Sequence, residues 1–186
     1  MKKLAVIALG GNAIIRSDQQ GTIQEQDINV MDTLENIVYL IKAGYNIVLS
    51  HGNGPQVGNI VMRNDAGEQI YNIAQMPLDI CVADSQGGIG YMIERNLRNL
   101  LKKHGLKRDV VTLVTQVLVD QNDPSINNPS KRIGKLYSKE EADAMNSKKG
   151  WIFKESSKRE GAYRRVVSSP IPIQVFNRDS IAQLAN

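Results

Sequence analysis

Residues 3–9, KLAVIAL, stop at Gly10-Gly11-Asn12, and residues 45–50, YNIVLS, stop at His51-Gly52-Asn53-Gly54-Pro55. The first is a continuous apolar run closed by glycine, the mark of a strand buried on both faces. The second is an apolar strand of the same kind of composition. Between them, residues 28–43 place Val30, Met31, Leu34, Ile37, Val38 and Ile41 at helical spacing, and Gly44 stands where a helix C-cap belongs. Strand, helix and strand with short connections form a βαβ unit, which predicts parallel pairing through a right-handed crossover.

Working outward, two more helices are predicted, at about 56–64 and 89–103. Residues 110–119, VVTLVTQVLV, are the most β-branched stretch of the chain and predict a strand. The character changes at Asp120. Asn122-Asp123-Pro124, Asn127-Asn128-Pro129 and the polar residues up to Arg165 read as an excursion from the sheet. It contains a short helix near 138–146, for which Ser138-Lys139-Glu140-Glu141 is a capping box. Val166-Val167 and Ile173-Gln174-Val175 are expected to return to the layered core, and residues 178–186 to form one more short helix. The fold class expected is therefore α/β, a layered domain with a small polar subdomain projecting over about 121–165.

Of the 186 residues, 41% are hydrophobic and 23% charged, enough to bury a core and too apolar for a disordered chain. No run approaches the eighteen apolar residues of a membrane span. Met1-Lys2-Lys3 followed by residues 4–9 has the start of a secretory leader, but the apolar run ends after six residues with no cleavage site behind it. Cys81 is the one cysteine, so no internal disulfide is possible, and a reducing cytoplasm is the expected compartment. The net charge of +4 is uneven: residues 131–165 hold eleven Lys/Arg against five Asp/Glu, the remainder twelve against fourteen. The aromatics Tyr137, Trp151, Phe153 and Tyr163 are scattered through that basic segment without a nucleic-acid pattern. A solvated face, or attraction of a small anion, suits it better.

In an open parallel sheet, ligands bind beyond the carboxyl ends of the strands. Gly10, Gly11 and Asn12 occupy one such end, and Gly52, Asn53 and Gly54 another, each ahead of a helical stretch. Glycine lets backbone N–H groups come close to an anion, and a helix N-terminus adds favourable partial charge. Together the loops suit a carboxylate or phosphoryl group. Neither matches the Walker A loop or the G-x-G-x-x-G fingerprint. A third candidate is Asn128-Pro129-Ser130-Lys131-Arg132-Ile133-Gly134, where flanking breakers restrict a loop that presents Lys131 as a point charge; taken alone, an exposed loop lysine is ordinary. Arg164-Arg165 has the same ambiguity and a weaker case. His51 reads as a hydrogen-bonded structural residue and Cys81 as a small core residue, since no nucleophile pattern accompanies them. No metal-ligand spacing is present.

At these loops the sequence resembles the carbamate kinases of the amino-acid kinase family. The matching strings are ALGGNA at 8–13, SHGNGPQVG at 50–58, SQGGIGY at 85–91, TQVLVD at 115–120, NPSKRIG at 128–134 and YRRVVSSP at 163–170. The resemblance implies a three-layer αβα sandwich with a mainly parallel sheet, and reversible phosphoryl transfer, ATP + carbamate ⇌ ADP + carbamoyl phosphate. It implies that Gly10, Gly11, Asn12, Gly52, Asn53 and Gly54 hold the carbamate and the moving phosphoryl group, that Lys131 neutralises charge on that group, and that the projecting subdomain closes over the substrate. ATP or ADP with Mg²⁺, a cytoplasmic homodimer and a place in arginine fermentation are implied as well. No nucleic-acid or membrane partner is expected.

The chain departs from the family pattern in several places. The loop usually reads PTKP, where Ser130 and Arg132 stand here; the usual VVPSP is Val166-Val167-Ser168-Ser169-Pro170; and Gly87-Gly88 replace bulkier residues. The family continues into a second half carrying the nucleotide site, so the expectation is that 1–186 is an N-terminal lobe without that C-terminal half, inactive alone. Three other readings compete with a carbamate kinase. One is a non-catalytic binding or dimerisation module derived from such an enzyme. Another is an amino-acid kinase for a different acyl or phosphate acceptor, such as acetylglutamate or an isopentenyl phosphate. The last is a nucleic-acid binder using the basic segment.

Overall fold

The computed structural model describes residues 3–157 and 159–186. Met1, Lys2 and Lys158, which enter the charge count and the leader reading above, lie outside the described residues. In chain order the elements begin with β1 (Lys3–Leu9), α1 (Ile23–Lys42), β2 (Tyr45–His51), α2 (Gly54–Tyr71) and α3 (Leu78–Lys103). They continue with β3 (Val117–Val119), α4 (Pro124–Asn127), β4 (Lys131–Tyr137), α5 (Lys139–Lys149), β5 (Ile152–Glu155), β6 (Tyr163–Val167), β7 (Pro172–Val175) and α6 (Arg178–Ala185). Two compact units result. The first holds residues up to Asn53, 82–115 and 177–186; the second holds 54–81 and 116–176, which includes all of the segment expected to project.

In the first unit, β1 and β2 pair in parallel, in register from Lys3↔Tyr45 to Leu9↔His51, as the βαβ reading predicts. The crossover helix α1 starts earlier than its apolar periodicity shows, because Thr22 and Glu25 form a reciprocal capping box at its N-terminus. It ends at Gly44, whose φ of +85° is a left-handed conformation that suits glycine. Val30, Leu34, Ile37, Val38 and Ile41 on α1 meet Ile89, Met92, Ile93, Leu97 and Leu100 on α3, with Leu9 and Ile14 completing the cluster. Each such fully buried side chain contributes about 1.5–3 kcal/mol.

Two expectations fail here. β1 is not buried on both faces: Ile7 and Leu9 face the cluster, but Leu4 is 46% and Val6 71% exposed on the other face. Residues 110–119 are not one strand either, since only Val117–Val119 pairs. A β-branched run favours extended backbone, but a strand needs a ladder partner, and residues 110–115 are held against α3 instead. Arg98 Nη2 donates to the Val110 carbonyl at 2.5 Å. Thr115 donates its N–H to Gln86 Oε1 at 2.9 Å and accepts from Gln86 Nε2 at its carbonyl, at 3.2 Å.

The second unit carries two small antiparallel sheets, β3–β7 and β4-β6-β5. Val166 and Val167 lie in the middle strand of the latter, and Gln174 and Val175 pair with β3, so both stretches belong to the second unit rather than the first. The helix expected near 138–146 is α5, with the reciprocal Ser138–Glu141 capping box in place and Gly150 at φ +66° closing it.

Candidate functional site

The parallel register sets the site. Because Leu9 is level with His51, the loops that follow β1 and β2 leave the sheet side by side. The Gly52 N–H donates to the Leu9 carbonyl at 3.3 Å, tying one loop to the other. The first loop makes one turn of 3₁₀ helix at Gly11–Ala13, closed by Ala13 N–H to Gly10 O at 3.0 Å. Its far end is anchored by the fully buried Ile14, whose carbonyl accepts from the buried Asn29 Nδ2 at 3.0 Å. A Cβ added at Gly10, Gly11 or Gly52 would meet no atom within 4 Å. These glycines therefore do not relieve crowding inside the protein. They leave backbone open to an approaching group.

The second loop is oriented from within. Asn53 Nδ2 donates to Ser85 Oγ at 2.8 Å, and that hydroxyl donates to the Val82 carbonyl at 2.6 Å. Ser85 is 2% exposed on α3. Sequence reasoning passed over it as a site residue, although it opens the quoted SQGGIGY string. That string lies inside a helix that begins at Leu78 rather than near Ile89, which its three glycines had concealed. His51 Nδ1 lies 3.1 Å from the Gly52 carbonyl; a carbonyl only accepts, so Nδ1 carries the proton and the ring braces its own loop. Directly after Asn53 the chain enters α2 at Gly54, and its first turn holds no acidic residue to offset the positive helix end.

Lys131 is the first residue of β4, opposite Val167, with an exposed side chain and no ion pair to a described residue. The buried Pro129 fixes the loop before it, and Arg132 Nη2 reaches the Glu155 carbonyl at 3.4 Å. Gly10, Gly11, Asn12, Gly52 and Asn53 are thus brought together within the first unit, while Gly54 and Lys131 belong to the second. Cys81 is buried, with its sulfur 3.8 Å from both Asn64 Nδ2 and the Met76 carbonyl, as a core residue should be. Among the described residues no group of three His, Cys, Asp or Glu could hold a metal ion, and no helix is long and apolar enough to cross a membrane.

Comparison with known proteins gives a consistent answer. No family model matches the chain. Carbamate kinase of Pyrococcus furiosus is 46% identical over 184 residues, which is 99% of this chain and 58% of that protein. Carbamate kinase of Thermococcus kodakarensis is 48% identical over 171 residues, 91% of this chain and 54% of that one. The solved carbamate kinase of Giardia lamblia bound to AMP-PNP superposes with a TM-score of 0.89 at 40% identity, covering 98% of this chain and 57% of that chain. The chain spans somewhat more than half the length of these relatives. Over the stretch shared with them, the chain is similar to carbamate kinases in sequence and shares their α/β fold.

Proposed function

We propose that this chain carries the carbamate- and phosphoryl-binding part of a carbamate kinase, catalysing ATP + carbamate ⇌ ADP + carbamoyl phosphate. The observation that supports it most directly is the register of β1 and β2, which sets two glycine-asparagine loops side by side at the carboxyl ends of parallel strands, with Asn53 held by Ser85. Gly10, Gly11, Asn12, Gly52, Asn53 and Gly54 bind the anionic groups, and Lys131 neutralises charge on the phosphoryl group in flight. Phosphoryl transfer rests on positioning and electrostatic stabilisation, so backbone donors and a lysine serve without a covalent nucleophile. The Giardia relative's AMP-PNP supports ATP and ADP as the nucleotide substrates. Mg²⁺ accompanies the nucleotide in this reading, with no residue of this chain assigned to it. The same reading makes the protein a cytoplasmic homodimer acting in arginine breakdown.

The relatives are longer than this chain, and we take the 186 residues alone to bind carbamoyl phosphate without turning it over. Calorimetry with carbamoyl phosphate, beside a coupled assay for ATP formed from carbamoyl phosphate and ADP, tests both parts. Binding without turnover is expected. Failure to bind would remove the site assignment, and ATP formation would show that these residues suffice for the reaction.

A further inference from the structure

A cavity of about 250 Å³ lies wholly inside the second unit, among α2, the segment after it, the first turn of α3, Trp151 and Arg165. Two charged side chains line it, with no direct ion pair between them, though the Asp65 carboxylate favours the Arg165 charge. Asp65 is 8% exposed and accepts from Gln75 Nε2 at 2.6 Å and from the Tyr137 hydroxyl at 3.4 Å. Arg165 lies over Trp151 with its guanidinium carbon 3.8 Å from the ring centroid, and its guanidinium makes no hydrogen bond or ion pair to any described residue, although the Asp65 charge favours it. Burial works against its charge and holds its pKa below the usual arginine value.

A guanidinium turns five N–H donors outward, and those of Arg165 stay open to water or to a ligand in the cavity. A simple anion would satisfy Arg165 but add negative charge beside Asp65. A simple cation would do the reverse. A ligand carrying both signs satisfies the two ends with no net buried charge. The rest of the lining joins apolar Val61, Met76, Pro77 and Leu78 to the amides of Asn64 and Gln75, and the volume suits a molecule smaller than a drug-sized ligand. We propose that this cavity binds a small zwitterion of the apolar α-amino-acid class, with its carboxylate on Arg165 and its ammonium on Asp65. Asp65 lies eleven residues beyond Gly54 on α2, about 16 Å along the helix, so the cavity does not include the start of that helix. The proposal does not depend on the kinase reading.

Trp151 is the one tryptophan in the chain, so its fluorescence reports on this cavity directly. The unmodified chain is titrated with L-valine, L-leucine and L-methionine, and with two analogues of leucine: 4-methylpentanoate, which lacks the ammonium, and 3-methylbutan-1-amine, which lacks the carboxylate. At least one amino acid is expected to give a saturable change with Kd of about 1 mM. Both analogues are expected to bind about tenfold more weakly. Arg165→Gln and Asp65→Asn, each checked for folding by circular dichroism, are expected to lose the response. No saturable change with any of the three amino acids, or equal binding of 4-methylpentanoate, overturns the proposal. The ligand analogues keep the test decisive even if a variant fails to fold.

Discussion

Asn53 on the second glycine loop donates a 2.8 Å hydrogen bond to the hydroxyl of Ser85, buried on α3. The amide proposed to meet substrate is thereby aimed by a buried side chain. Ser85→Ala removes the acceptor and leaves the Asn53 amide free to rotate. Carbamoyl phosphate affinity is expected to fall roughly tenfold, about 1.4 kcal/mol. Calorimetry on Ser85→Ala measures this; unchanged affinity would show that Asn53 needs no such brace.

The Lys131 side chain is exposed and forms no ion pair with a described residue, so replacing it should leave the fold within about 0.5 kcal/mol of the parent. Lys131→Ala is expected to weaken carbamoyl phosphate binding by about tenfold and to flatten its dependence on salt. Lys131→Arg keeps the charge and should retain most of the affinity. A Lys131→Ala chain that binds as before would remove this lysine from the site.

Gly90 carries a packing demand rather than a conformational one. A Cβ at this position would sit 2.3 Å from Thr112 Cγ2, closer than any real contact. Gly90→Ala gains about 1 kcal/mol of helix propensity and should still destabilise the chain by about 1–3 kcal/mol through overpacking. Urea midpoints measure the change. Adding Thr112→Ser deletes the clashing methyl and should recover part of the loss.

Asp27 links α1 to α3. Burial works to raise its pKa, but hydrogen bonds from Asn96 and Arg95 outweigh burial and leave it below the ordinary aspartate value. A pKa lowered by folding stabilises fully above the unfolded value of about 3.9, and the stabilisation disappears as pH falls through the lower folded value. Stability of the parent should therefore decline more steeply than that of Asp27→Asn below about pH 4. Urea melts of both chains between neutral and acid pH check this, and parallel curves would contradict it.

Tyr137 works at the other end of the scale. Burial first, and the Asp65 carboxylate second, push its hydroxyl up to about 12. With the folded pKa raised, the stabilisation is complete below the unfolded value of about 10 and is lost as pH rises through the folded value. Tyr137→Phe should flatten the alkaline fall in stability across that window. Its absorbance titration should lack the last phenol to ionise.

What the sequence made legible follows how local each signal is. β1, α1 and β2 were readable because each carries its own apolar period and its own glycine stop, and the α5 capping box was readable for the same reason. The start of α3 was hidden by Gly87, Gly88 and Gly90, and at Gly90 the explanation lies in Thr112, twenty-two residues away. Residues 110–115 had strand composition and lacked a partner, which composition does not show. The two glycine loops could be named from sequence, but the role of Ser85 depends on a helix placing it beside Asn53. The pairing of Arg165 with Trp151 likewise depends on β5 and β6 forming one sheet.

The in-register pairing from Lys3↔Tyr45 to Leu9↔His51 makes the two strands act as one ruler. Deleting a single residue from either strand would turn its inward side chains outward and shift its loop by about 3.3 Å against the other. The gap between the loops, and hence the size of the anion proposed to bind there, is a length measured in whole residues. Any retuning of that gap must come from side chains at its rim, because the backbone beneath moves only in steps too large to be useful.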